Sequence, residues 1–243
     1  MGGTEEKQAE LVEHLGELRT RIIRSAIYTA VGMAVCWFFY YDIFDLLTAP
    51  LTGTLKDVKF QMVGLSEGFM LRMQVSLIAG AIIAAPLITM ELWGFVSPAL
   101  TRDEKRPLKW ITPMCIFLFA SGVMLAYLII PRTVQFFVSQ TPPNTDFRPF
   151  ISQNLIFIVK MLFAFGVVFE LPVVLMFLGK LGIVDSKMLR AYWRQAILLM
   201  AVVAAIATPS ADAFTMIIMA VPLCFLYLLS IFLVKFVERK DEF

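Results

Sequence analysis

The sequence predicts an all-α membrane protein: six transmembrane helices in a curved bundle, with both termini on the cytoplasmic side. Three observations predict it. Hydrophobic residues make up 59% of the chain and charged residues only 16%, against roughly 25% charge in a soluble domain. Six apolar stretches are long enough, or nearly so, to cross about 30 Å of hydrocarbon as helices. Most of the 21 Lys and Arg residues gather at the N-terminus, in alternate connections and in the tail, the pattern that marks cytoplasmic segments. Barrel strands are excluded because no segment shows their alternation of about ten residues.

The elements follow in order. Residues 1–21 form an arm in which Leu11, Leu15, Leu18 and Ile22 recur at helical spacing. This pattern predicts an amphipathic helix lying at the inner interface before the first span. Within it Glu17 and Arg21 stand four residues apart, a pair that a helix favours. The arm has no early apolar run and no small-residue cleavage site, so it is expected to stay on the mature protein rather than leave as a signal peptide.

The spans read Ile22 to Tyr41, Phe69 to Trp93, Ile111 to Ile130, Leu155 to Leu178, Trp193 to Ala207 and Ala213 to Val234. Together with the arm they are expected to form a single integral membrane domain, 1–243. Two outer loops separate spans one from two and three from four, and Pro50 falls in the first. The inner connections carry Arg102, Lys105, Arg106 and Lys109, then Lys180, Lys187, Arg190 and Arg194; the tail carries Lys235, Arg239 and Lys240. The fifth and sixth helices are expected to be short, the fifth having only about 22 Å of apolar length. Pro86, Pro113, Pro131, Pro172 and Pro222 each remove a backbone donor within a span and are expected to bend the walls.

Several functions are excluded by what the motifs lack. A GxSxG pattern at Gly64 to Gly68 would suit a hydrolase, but the one histidine, His14, is expected on the opposite side of the bilayer from Ser66. Ser66 is expected instead to cap the second span, with Glu67 favoured in its first turn. Cys36, Cys115 and Cys224 lie in separate apolar segments, where small packing residues are expected rather than a metal site or a disulfide. There is no phosphate-binding GxxxxGK[ST] loop. No catalytic residue, metal, cofactor or nucleic-acid partner is expected.

Glu170, in FGVVFELPVV, is the acid at membrane depth. A carboxylate there costs on the order of 3 kcal/mol on insertion scales, so it faces protein, water or a partner. It lies about 12 Å along the helix from Leu178, too deep for a short side chain to snorkel. Such a residue suits a partner contact or, alternatively, a proton-coupled small-solute carrier. Carriers commonly show paired repeats, and none is evident here.

The segments HLGELRTR, SEGFMLRMQVSL, WGFVSPALTRDEKR, FGVVFELPVV and ATPSADAFT occur in the order seen in the TatC family, the multispanning receptor subunit of the twin-arginine protein translocase. The resemblance covers essentially the whole chain. It implies that Glu17 and Glu104 bind the paired arginines of a signal peptide, with Phe95, Pro98 and Leu100 shaping an apolar edge and Arg19 on the same surface. Carboxylates suit that task because they accept charge-assisted, bidentate hydrogen bonds from guanidinium groups. It further implies that Glu170 contacts the single-span partners TatA and TatB, that copies self-associate within the lipid of a cytoplasmic membrane, and that the proton-motive force drives export of folded proteins. Pro50 matches a recurrent family position. Asp212 resembles the acid after a TPP motif, but TPSAD departs from that pattern by one residue. Glu91 is a further polar candidate, either lining a pocket or lying at the interface.

Overall fold

In this computed structural model the described residues are 2–54, 60–96, 108–142, 148–207 and 213–237. Among them the structure is helical: α1 Gly2–Phe38, α2 Tyr40–Thr54, α3 Glu67–Val96, α4 Leu108–Ser139, α5 Ile151–Val168, α6 Leu171–Lys180, α7 Ser186–Ala191, α8 Trp193–Ala207 and α9 Ala213–Val237. Four stretches are long and apolar enough to cross a membrane, α5 and α6 counting together as Ile151–Lys180, and the bent pair α1 and α2 makes a fifth. Helix α8 is apolar but shorter. The end at which α1 begins and α3 finishes is called inner below, and the opposite end outer.

The arm expected to lie flat is continuous with the first span, since α1 runs unbroken for 37 residues. A single glycine, Gly16, does not stop a helix, and the chain turns only at Phe39. There the axis bends by 82° into α2. The bend leaves the carbonyl of Trp37 near a helix end, where backbone acceptors need outside donors. Arg72 of α3 supplies one, its Nη2 donating at 2.7 Å, while its guanidinium lies 4.4 Å from the centre of the Trp37 ring. Aromatic packing of Tyr40 against Tyr41 and Phe44 continues the corner.

Pro50 therefore lies inside α2 rather than in a loop. Proline has no N–H to offer the carbonyl four residues back. The Tyr127 hydroxyl of α4 donates to that carbonyl, Leu46 O, at 2.9 Å. This hydrogen bond ties the outer segment to α4, while Leu47 and Leu51 of α2 join the main core.

Helices α1 and α3 approach closely because both carry glycine at the crossing. A Cβ built on Gly32 would come within 2.5 Å of the Gly80 carbonyl oxygen. Small residues that let backbones meet are the usual device of membrane helix pairs. Helix α5 sits deepest, with Leu155, Ile158, Val159 and Phe165 at most 1% exposed. Large apolar side chains such as Phe38, Leu128, Val221 and Phe232 stay exposed, as lipid-facing positions should.

At the outer end Gln61 pairs with the strand-like Phe150, exchanging hydrogen bonds with Pro149 O and Ile151 N at 3.2 Å. The Glu67 carboxylate accepts from Val63 N at 2.6 Å and Gly64 N at 3.1 Å, and from the Ser152 hydroxyl. These bonds tie the α2–α3 connection to the start of α5.

The prolines act differently from one another. Pro86, Pro113, Pro131 and Pro222 lie inside continuous helices, whereas Pro172 follows a break at Phe169 and Glu170. Helix α8, with 15 residues, is short as expected. Helix α9 is not: its 25 residues reach Val237, because neither glycine nor proline follows the apolar run and Lys235 suits a helix's last turn.

Candidate functional site

Two polar constellations stand out in an otherwise apolar bundle, one at the inner end and one within it. The inner one joins α1 to α3. Glu17 and Arg21 share a face of α1, and the Glu17 Oε1 accepts from Arg21 Nε at 3.0 Å and Nη2 at 2.5 Å. The third guanidinium nitrogen, Nη1, turns to α3, where it meets Glu91 Oε2 at 3.1 Å and Glu91 O at 3.4 Å. The other Glu91 oxygen accepts from the Tyr28 hydroxyl at 3.1 Å and has Arg24 Nη1 at 3.8 Å. Arg21, Arg24 and Tyr28 follow one another along α1 at spacings that keep them on one face.

Room for the guanidinium comes from Gly94, one turn of α3 beyond Glu91: any Cβ there would collide with Arg21 Nη1. Phe95 stacks on His14 with ring centroids 4.3 Å apart and planes 16° from parallel. That stacking places His14 Nδ1 3.9 Å from Glu17 Oε2. A cavity of about 430 Å³ opens alongside, lined by Gly16, Glu17, Thr20, Arg21 and Arg24.

The second constellation surrounds Glu170. The break before α6 leaves Glu170 at the head of that helix with no side-chain capping bond. Its Oε1 is buried and has no hydrogen-bond partner among the described residues. Cys115 of α4 is its neighbour, and Trp93 Nε1 donates to Cys115 Sγ at 3.2 Å. Glu170 borders a cavity of about 800 Å³ between α3, α5, α6 and α8, walled mainly by side chains such as Ile88, Leu92, Phe163, Val174 and Leu199. Besides Glu170, its lining includes the polar residues Thr89, Tyr192, Gln195 and Tyr227.

The sequence-predicted residues divide as follows. Glu17, Phe95 and Glu91 come together at the inner end. Glu91 is absent from the walls of the Glu170 cavity and belongs to the α1–α3 seam. Arg19 is exposed and makes no ion pair with a described carboxylate. Pro50 and Glu170 lie apart from this cluster, in α2 and at the head of α6. Glu104, Pro98, Leu100 and Asp212 lie outside the described residues. Sequence reasoning missed Gly94, Tyr28 and the Trp93–Cys115 contact. Only the spacing of Arg21, Arg24 and Tyr28 could have signalled their common face. Among the described residues no group of three His, Cys, Asp or Glu side chains is placed to hold a metal ion.

Fold and sites together define a multi-pass α-helical membrane protein with a charged cluster at one end and a further acid, Glu170, bordering a mostly apolar cavity. The family model of the Sec-independent protein translocase protein TatC matches residues 13–222. The TatC protein of Desulforapulum autotrophicum is 40% identical, covering 98% of this chain and 89% of its own. That of Aquifex aeolicus is 34% identical over 96% of this chain and 97% of its own. A crystal structure of the twin arginine translocase receptor TatC superimposes with a TM-score of 0.83 at 33% identity, covering 93% of this chain and all of that one. The chain belongs to the TatC family of Sec-independent protein translocase proteins.

Proposed function

We propose that this protein is the receptor subunit of a twin-arginine translocase, binding the paired arginines of signal peptides at its inner end and organising the export of folded proteins. Both termini are cytoplasmic in this reading, and the chain crosses the membrane six times, with α8 as the short fifth crossing. The observation that carries it is Glu17, which lines a polar cavity and whose Oε1 is engaged by Arg21 while Oε2 accepts no hydrogen bond from a described residue. An incoming guanidinium finds there a carboxylate oxygen still able to accept a hydrogen bond, with His14 Nδ1 3.9 Å from it.

The charges explain why a second carboxylate is needed. Glu17 and Glu91 are balanced by Arg21 and Arg24, so two more positive charges require negative charge from elsewhere. Glu104 supplies it in this reading, with Pro98 and Leu100 beside Phe95 forming the apolar edge and Arg19 on the same surface. No covalent chemistry is involved, and the proton-motive force drives export.

Glu170 contacts the single-span subunits TatA and TatB. A mostly apolar cavity with one unpaired carboxylate oxygen suits an apolar helix bearing a polar group better than it suits a hydrophilic solute. Asp212, the residue before α9 in sequence, and further copies of the chain complete the assembly in this reading.

Binding of a labelled paired-arginine peptide to the purified protein tests the receptor role. Glu17→Lys and Glu104→Lys should each weaken binding at least about tenfold, and a paired-lysine peptide should bind less well. Equal binding of the two peptides would sink arginine recognition. Glu170→Ala should leave peptide binding intact and abolish cross-linking to TatA or TatB; unchanged cross-linking and export would remove Glu170 from partner contact.

A further inference from the structure

The Arg21 guanidinium has the same chemistry as the groups the receptor is proposed to bind, and it already sits on Glu17. Its geometry is unusual for an Arg–carboxylate pair. The favoured arrangement is two parallel bonds, one to each carboxylate oxygen. Here Nε and Nη2 both converge on Oε1 at 3.0 and 2.5 Å, Oε2 accepts no hydrogen bond from a described residue, and Glu17 itself lines the cavity. The reason is on α3. Glu91, only 9% exposed, draws Nη1 in the opposite direction through its side chain and its backbone carbonyl. Gly94 provides the floor on which the guanidinium lies, and Tyr28 holds the far oxygen of Glu91.

We infer that Arg21 is a resident guanidinium held off half of Glu17 by Glu91 and Gly94, and that this division of one carboxylate is what keeps Oε2 available to a substrate arginine. The inference rests on the reading of Glu17 as an arginine receptor and adds to it a competitor and the device that restrains the competitor. Arg21, Glu91 and Gly94 are positioning residues, since none needs to touch the peptide. Without the pull of Glu91, Arg21 rotates into the two-oxygen arrangement and covers Oε2. The receptor then becomes self-occupied, by a group tethered one helical turn away and hence at high local concentration.

This mechanism has a signature that simple loosening of the α1–α3 seam lacks. Glu91→Gln keeps the size of the side chain but removes its charge, so it should weaken paired-arginine peptide binding by about tenfold. Adding Arg21→Gln removes the competitor and should bring affinity most of the way back. If the seam were merely structural, the second substitution would weaken binding further. Gly94→Ala offers an independent route, because its methyl group dislodges the guanidinium without altering any charge; it should also weaken binding, and Arg21→Gln should again relieve it.

The experiment measures peptide affinity by fluorescence anisotropy for wild type, the three single variants and the two double variants, with thermal unfolding in the same detergent to confirm that each is folded. Recovery in both double variants supports the inference. Further loss in the doubles, or wild-type affinity in both Glu91→Gln and Gly94→Ala, overturns it. The receptor reading fails separately, if Glu17→Gln leaves wild-type binding of the paired-arginine peptide unchanged.

Discussion

Replacing Tyr127 by Phe removes one hydroxyl, yet the structure assigns that hydroxyl a defined job. It donates at 2.9 Å to Leu46 O, the acceptor deprived of its helical donor by Pro50. An average intramolecular hydrogen bond is worth about 1 kcal/mol net, and stranding a buried acceptor costs about 1–3 kcal/mol. This bond lies at the protein's exposed surface, and membrane-protein hydrogen bonds measured by double-mutant cycles average about 0.6 kcal/mol. The expected cost is therefore about 1 kcal/mol, a factor of about 5 in the unfolding equilibrium. In a Pro50→Ala background the restored N–H of residue 50 serves Leu46 O, and Tyr127→Phe should cost close to nothing. Equilibrium unfolding of the four proteins in mixed micelles gives a coupling of about 1 kcal/mol if the reasoning is right. The same loss in both backgrounds would refute it.

Gly32→Ala places a methyl group against the Gly80 carbonyl and should lower stability by about 1–3 kcal/mol, read as a shift in the thermal midpoint in detergent. An unchanged midpoint would mean that the helices part without cost. Glu170→Leu removes a carboxylate with a buried, unpartnered oxygen, so the isolated protein should gain about 1 kcal/mol of stability while losing its cross-link to single-span subunits. Destabilisation by Leu would contradict the unpaired state of that oxygen. Glu67→Ala releases Val63 N, Gly64 N and the Ser152 hydroxyl, so hydrogen exchange at residues 63 and 64 should accelerate by about tenfold or more. Unaltered exchange would show that Gln61 alone holds the outer connections together.

Most of the helical framework was legible because lipid demands long apolar runs, and such runs survive in one dimension. The same logic misplaced the first corner. Nothing in the run Trp37 to Tyr41 breaks a helix by propensity; the turn depends on Arg72, distant in sequence, capping Trp37. Pro50 was read as a loop residue because it falls outside the apolar runs, and the donor its place in α2 lacks comes from Tyr127, distant in sequence. At the inner site the Glu17–Arg21 spacing revealed its own bond. The partner that splits the guanidinium, Glu91, is 70 residues away, and a lone sequence does not say which helices touch. Glu170 was the easiest residue to find, because a charge in an apolar run needs a reason wherever the helix packs.

Helix α3 carries Glu91, Trp93, Gly94 and Phe95 within little more than one turn. Glu91 serves the inner cluster, while Trp93, about 3 Å further along the axis, holds the sulfur beside Glu170. The two sites thus hang on one rigid rod with almost no slack between their attachment points. A displacement of that rod felt at one attachment is delivered undiminished to the other, so α3 fixes a common zero from which both sites are measured.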